Sequence, residues 1–484
     1  MNSLLIFLII ALYFSVLLII SHIIGKRHSN NEAFFIGNRQ SPWYVVAIGM
    51  IGTSISGVTF VSVPGQVRAI DMTYVQMTLG FFFGYMFIAH VLLPLYYKLN
   101  LTSIYTYLQD RIGIKAYKTG SFFFILSKLL GAAARLYIVI LIMQLYIFDH
   151  WGIPFYLTVT IIVALIFLYT FRSGIRTIIW TDMLQTLFLL TALVLIIWQV
   201  TAKLDLNFSQ TISVVTSNEH FHIFEFGDIN HRQNFFKQFI SGIFIVIVMT
   251  GLDQEMMQKN ISCRNLKEAQ KNIYSYSWTF VPINFLFLCL GILLLVFTNT
   301  YHIELPSDPD QILPVLAASG MLGTTVIIFF IIGLMSATFP SADSALTSLT
   351  TSFCFDFLNI SKQTPQAAKK TRLKTHIAFS VLFIFTILIF NTVNNKSIID
   401  VIYIMVSYSY GPLLGMYAFG LFTKIKPKDS WIPYICILSP ILSYTFDRTI
   451  SIWTEYKISY ELLILNGLIT FLGMWFSSKF VKNP

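Results

Sequence analysis

The segment Ser336–Asp356, SATFPSADSALTSLTTSFCFD, carries eleven Ser, Thr and Asp side chains within an otherwise apolar stretch. Wound as a helix at about 100° per residue, it divides into faces. Ala337, Ser341, Ser344 and Ser348 form one stripe, and Ser336, Pro340, Asp343, Thr347 and Thr351 the adjoining one. Phe339, Ala342, Leu346, Leu349 and Phe353 lie opposite. Hydroxyls and a carboxylate along one flank of an apolar helix face other helices or a water-filled cavity, because lipid offers them no partner. Hard cations prefer oxygen ligands of this kind, so the face is a candidate site for a small cation.

Two further runs could complete such a site. In Gly49–Thr59, two early glycines, three hydroxyls and a third glycine, followed by Pro64, make a poor continuous helix. Unwinding near Thr53–Gly57 would free the carbonyls of Gly52 and Ile55 for a cation. The alternative is that these small residues only permit close helix packing. The second run, Met249–Glu255, again places polar side chains after a glycine. Asp253 and Gln254 are candidate solute contacts there, and Glu255 reads as a solvated helix terminus.

Other ionisable residues fall at membrane depth. Arg135 sits mid-way along an apolar run, either as a carboxylate-binding group or as the counter-charge of Asp343 or Asp253. Asp182, in Ile179-Trp180-Thr181-Asp182, falls early in its helix. Lys128 and His90 read as snorkelling or ordinary packing near helix ends.

The elements that must position these groups follow from composition. Of 484 residues 56% are hydrophobic and only 11% charged, far below the roughly 25% of a soluble domain. The chain is therefore an all-α polytopic membrane protein. At about 20 apolar residues per span it accommodates about thirteen transmembrane helices. Leu4–Ile24 has no basic residue before it and Lys26-Arg27 after it, which reads as a retained span starting outside. Counting from there, 23 of the 32 Lys and Arg residues fall in cytoplasmic connections, among them Arg172, Lys259 and Lys482. That placement accounts for the net charge of +10 without a nucleic-acid partner, and puts the C-terminus in the cytoplasm. The four cysteines, Cys263, Cys289, Cys354 and Cys436, have no metal or disulfide spacing and read as buried thiols. No glycine-rich phosphate loop is present, which excludes a pump driven by ATP within this chain. Five helices over 40–203 pair with five over 234–425 of opposite starting side, the pattern of an inverted repeat. One extra helix (1–30) precedes them and two (429–484) follow.

GTSISGVTFVSVPG (52–65), SGIRTIIWTDMLQT (173–186), GLDQEMMQKNIS (251–262) with EAQK (268–271), and GLMSATFPSADSALTSLTTSFCFD (333–356) carry a resemblance over nearly the whole chain. In their order and spacing they are similar to the sodium/solute symporter family. That group contains the bacterial proline, galactose and sialic acid symporters and the animal glucose, iodide and monocarboxylate symporters. The resemblance implies a leucine-transporter-type five-plus-five core. It also implies a sodium site made of the Gly52 and Ile55 carbonyls with Ala337, Pro340 and Ser341. Pro340 departs from the pattern, since it offers no hydroxyl; Ser336, Ser344 or a water would fill the gap. A second cation site, found in part of the family, falls on Asp182, Asp343 and Ser344, so the cargo is one sodium ion or two. The family's sugar-binding acid falls near Thr78 and Gln76, neither of them acidic.

The expected function is sodium-coupled symport of a small polar or anionic solute by a monomer in the bacterial inner membrane. The solute is expected among Thr53, Ser56, Thr59, Gln76, Arg135, Asp253 and Gln254. One alternative couples to protons through Asp343 and Asp182. Another is a solute sensor, which would need a cytoplasmic output domain that the sequence does not display. No nucleophile pair or His/Glu metal spacing points to an enzyme.

Overall fold

The computed structural model describes residues 3–27, 31–171, 174–393, 398–454, 456 and 458–480. Arg172, Ser173, Lys482 and residues 394–397, within the five helices expected over 234–425, lie outside the described residues. Among the described residues the chain is helical without a strand; one isolated bridge joins Ser41 to Cys263. Among the described residues seven helices are long and apolar enough to cross a membrane, or nine if each of two bent pairs is one span. Thirteen spans are reached only if Phe155–Thr170, Ile398–Phe422, Ile432–Trp453 and Leu462–Ser478 also cross.

The two bent pairs coincide with the two interrupted runs. Trp43–Ser54 meets Gly57–Ile70 at 57°, and Phe235–Gly251 meets Gln254–Ile261 at 64°. At the first break Ile55 (ψ 78°) and Ser56 (ψ 167°) leave the helical region. Pro64 does not cause the break, since it sits within the second segment. The glycines also serve packing, so the two readings of this run are not exclusive. A β-carbon on Gly52 would stand 2.1 Å from the Thr186 hydroxyl, and one on Gly57 would stand 2.2 Å from that of Thr338. At the second break Asp253 caps the short helix, its carboxylate accepting from the Glu255 and Met256 amides at 2.8 and 3.3 Å.

The polar segment runs from the helix Thr324–Ser352, preceded by a short helix, Ile312–Ala318, into the wider turn Phe353–Phe357. Every residue from 333 to 352 is buried, so the apolar stripe faces protein as well. Phe339 packs against Phe14 of the N-terminal helix Ser3–Arg27, with ring centroids 5.0 Å apart. Thr324–Ser352 runs against Ile175–Lys203, which carries Asp182, and against both segments of the first broken helix. Pro340 leaves the helix unbroken but, lacking an N–H, cannot bond the Ser336 carbonyl. The four cysteines are free, as their spacing suggests, but Cys289 is only partly buried.

Candidate functional site

The two breaks differ in what they do with their freed carbonyls. At the second, Tyr96 donates to the Gly251 carbonyl at 2.8 Å and Tyr105 to that of Leu252 at 2.9 Å. At the first, no hydrogen bond reaches the Gly52 or Ile55 carbonyl from any described residue. The Thr53 and Ser54 carbonyls likewise accept none from the described residues, so the whole break presents backbone oxygens free for a ligand, where buried carbonyls are almost always paired. The close approach of Gly57 to Thr338 sets this break beside the turn Ala337–Ser341. There the Ser341 hydroxyl donates to the Thr338 carbonyl at 2.8 Å, which leaves its lone pairs for a cation.

One turn further along, a lysine and two hydroxyls gather on one carboxylate oxygen, that of Asp182. Asp182, Asp343, Ser344 and Lys259 are all buried. The Lys259 ammonium lies 2.6 Å from Asp182 Oδ2 and donates to the Thr53 hydroxyl. Thr53 Oγ1 is itself 3.2 Å from the same carboxylate oxygen. The Ser344 hydroxyl lies between the two acids, 3.4 Å from Asp182 and 3.2 Å from Asp343. Tyr169 donates to Asp343 at 2.8 Å. Thus Lys259 does not belong to a solvated basic connection. Its short helix, only eight residues long, folds back into the bundle behind the second break.

Next to the first break is a partly open cavity of about 100 Å³. Thr53, Ser56 and Thr59 line it from the broken helix, and Arg135 reaches it from Ile114–Met143. Arg135 is neither exposed nor ion-paired among the described residues. The counter-charge reading of Arg135 therefore falls away: Asp343 is held by Tyr169 and Ser344, and Asp253 by another cation. That cation is Lys128, 2.9 Å from Asp253 and 2.7 Å from Glu255, with Tyr410 donating to Asp253 at 2.6 Å. Lys128 does not snorkel and Glu255 is not a solvated terminus; both are buried and line the cavity. A lone buried ion is costly and finds a partner wherever the fold provides one.

Three expected solute contacts turn elsewhere. The Gln76 amide donates to Gln233 O at 2.9 Å and accepts from the Glu225 amide at 2.9 Å, fixing the 203–233 connection. Gln254 is bound to Thr102 O at 2.7 Å and to the Ile104 amide at 2.9 Å. Asp253 is taken up by its cap and its lysine. None of the three lines the cavity.

The family model described as the sodium:solute symporter family matches residues 34–426, spanning both breaks and the polar helix. The chain belongs to the sodium:solute symporter family. As a symporter of this family it is a multi-pass transporter and not an enzyme. The sodium/sialic acid symporter of Proteus mirabilis is 23% identical over 95% of this chain and 93% of its own length. That of Aliivibrio fischeri is 22% identical over 86% and 83%. The human sodium-coupled monocarboxylate transporter 2 is 23% identical over 84% of this chain and 65% of its own. A solved Na+-coupled sialic acid symporter, in a substrate-bound outward-open state, superposes with a TM-score of 0.82 at 19% identity. It covers 99% of this chain and 98% of that one, and shows a common fold. A nucleobase-cation-symport-1 transporter in a closed conformation superposes more distantly, at a TM-score of 0.50 and 15% identity.

Sequence reasoning on this symporter missed Lys128, Glu255, Lys259 and the two carbonyl-capping tyrosines. The one signal for Lys259 was the residue before it in QKN: a glutamine and lysine on a short polar helix placed directly after an intramembrane break. Gln258 anchors that helix, donating to Phe35 O at 2.5 Å and to Thr351 Oγ1 at 3.0 Å.

Proposed function

We propose that this symporter imports a small organic anion together with sodium by alternating access. The observation that carries the reading is the first break, where the Gly52 and Ile55 carbonyls accept no hydrogen bond among the described residues and where Gly57 packs against Thr338, within the turn that holds Ala337, Pro340 and Ser341. Sodium there would join the broken helix to the polar helix and favour the state that accepts solute, a reciprocal coupling of the two affinities. With Pro340 lacking a hydroxyl, the Ser336 carbonyl freed by its ring is a substitute oxygen.

Arg135 in the cavity supports an anion, with Thr53, Ser56 and Thr59 as the neighbouring hydroxyls. A guanidinium without an internal acid presents a fork that matches a carboxylate. The names of the relatives agree in kind, since sialic acid and monocarboxylates are carboxylates. The two breaks support five-helix repeats over 40–203 and 234–425, with 1–30 and 429–484 as flanking spans. The basic connections support an N-terminus outside and a C-terminus in the cytoplasm of a bacterial inner membrane. We take the monomer as the working unit.

The test is uptake of carboxylate solutes into proteoliposomes under an inward sodium gradient, with choline as the control. Uptake should require sodium. Equal uptake without it, or uptake driven by external acid alone, would replace sodium by a proton carried on the buried Asp343 and Asp182.

A further inference from the structure

We infer that Lys259 is a built-in cation that fills the Asp182–Asp343–Ser344 position, so that the chain binds one sodium ion and not two. The inference rests on the sodium-coupling reading above and specifies its stoichiometry. A second sodium would draw its charged ligands from Asp182 and Asp343. Yet Oδ2 of Asp182 already gathers the Lys259 ammonium at 2.6 Å, Thr53 at 3.2 Å and Ser344 at 3.4 Å, which leaves only Oδ1, buried and without a partner among the described residues, on the same carboxylate as the ammonium. A sodium ion drawn to the same oxygens would stand beside the ammonium, two like charges side by side where little water screens them. An ammonium satisfies the same need by donating hydrogen bonds to carboxylate and hydroxyl oxygens.

The lysine cannot readily swing aside, because its helix is held on several sides. Gln258 is bound to Phe35 and Thr351, Tyr97 donates to Asn260 O at 2.9 Å, and the Ser41 amide bonds Ser262 O at 3.0 Å. The side chains of Lys259 and Asp182 are 1% and 0% exposed, so solvent does not compete for the pair. Lys259 therefore does permanently what an ion would do transiently. It joins the helix after the second break to the first break, through Thr53, and to the helix Ile175–Lys203, through Asp182.

The experiment is equilibrium binding of radioactive sodium to the purified full chain in lipid nanodiscs, counted per protein. Wild type and Lys259→Arg should each bind one ion. Lys259→Ala should bind two, and Lys259→Ala/Asp182→Asn should return to one. Asp182→Asn alone should leave the single ion in place, which decides the matter if the alanine variant does not fold. Two ions in wild type, falling to one with Asp182→Asn, would overturn the inference, as would a folded Lys259→Ala that still binds one. No sodium bound to wild type would overturn the coupling reading and the inference together, and that zero is distinct from every other result.

Discussion

Lys128 and Glu255 form an ion pair 2.7 Å long between the helix Ile114–Met143 and the short helix after the second break. Asp253 shares the same ammonium at 2.9 Å, so one lysine holds two carboxylates, and it lines with Glu255 the cavity beside the first break. Removing Lys128 leaves both acids uncompensated, and breaking a buried pair in this way costs about 3–5 kcal/mol. Lys128→Met should therefore lower the thermal unfolding midpoint of the purified protein sharply. Lys128→Met/Glu255→Gln should recover part of the loss. Equal midpoints for wild type and Lys128→Met would show that the pair contributes nothing to stability.

The sodium reading makes an uneven demand on the polar helix. Ser341→Ala deletes one oxygen and should raise the half-saturating sodium concentration on the order of tenfold, the effect of one charge–oxygen contact of about 1.5 kcal/mol. Pro340→Ser adds a hydroxyl at the neighbouring position and should lower it. Sodium-dependent uptake at fixed solute measures both. A Ser341→Ala curve that overlays wild type would remove Ser341 from the site.

Arg135 should act on the solute and not on the ion. Loss of a charged hydrogen-bond partner of about 1.5–3 kcal/mol corresponds to a weakening of roughly 10- to 100-fold. Arg135→Gln should show it as a raised KM for a carboxylate solute, with the sodium dependence of binding retained. Lysine keeps the charge but loses the fork, so Arg135→Lys should fall between the two. A variant that loses sodium binding instead would place Arg135 in the ion's service.

Gly52 tests the packing half of the first break. A β-carbon there meets the Thr186 hydroxyl at 2.1 Å and Thr186 Cβ at 3.1 Å. Gly52→Ala should abolish sodium-dependent uptake, and Gly52→Ala/Thr186→Ala should restore some of it by clearing the nearer atom. Full activity in the single variant would mean that the helices can move apart freely at this point.

Much of the site could be read without coordinates. The runs around Gly52–Gly57 and Gly251–Asp253 are weak helix formers inside apolar segments, and both became breaks. The hydroxyls of 336–352 had to avoid lipid, and all of them are buried. Such features are local: they follow from propensity, periodicity and the price of an unpaired polar group in hydrocarbon.

Charge pairing was not local, and there the sequence misled. Lys259 looked like one more basic residue of a connection because Gln254–Ile261 is short and polar, with nothing in its own composition to bury it. Its burial comes from neighbours far along the chain, Asp182 and Thr53 above all. Arg135, Lys128, Asp253 and Asp343 could be matched in several ways on paper, and only packing showed which lysine reaches which acid. The sequence by itself determined the membrane, the helices, the breaks and the family, because each is set by residues close together in the chain. The tertiary structure alone decided which break has tyrosines on its carbonyls, which lysine neutralises which carboxylate, and that Arg135 lines a cavity without an acid paired to it among the described residues, because those depend on distances of a few ångströms between helices.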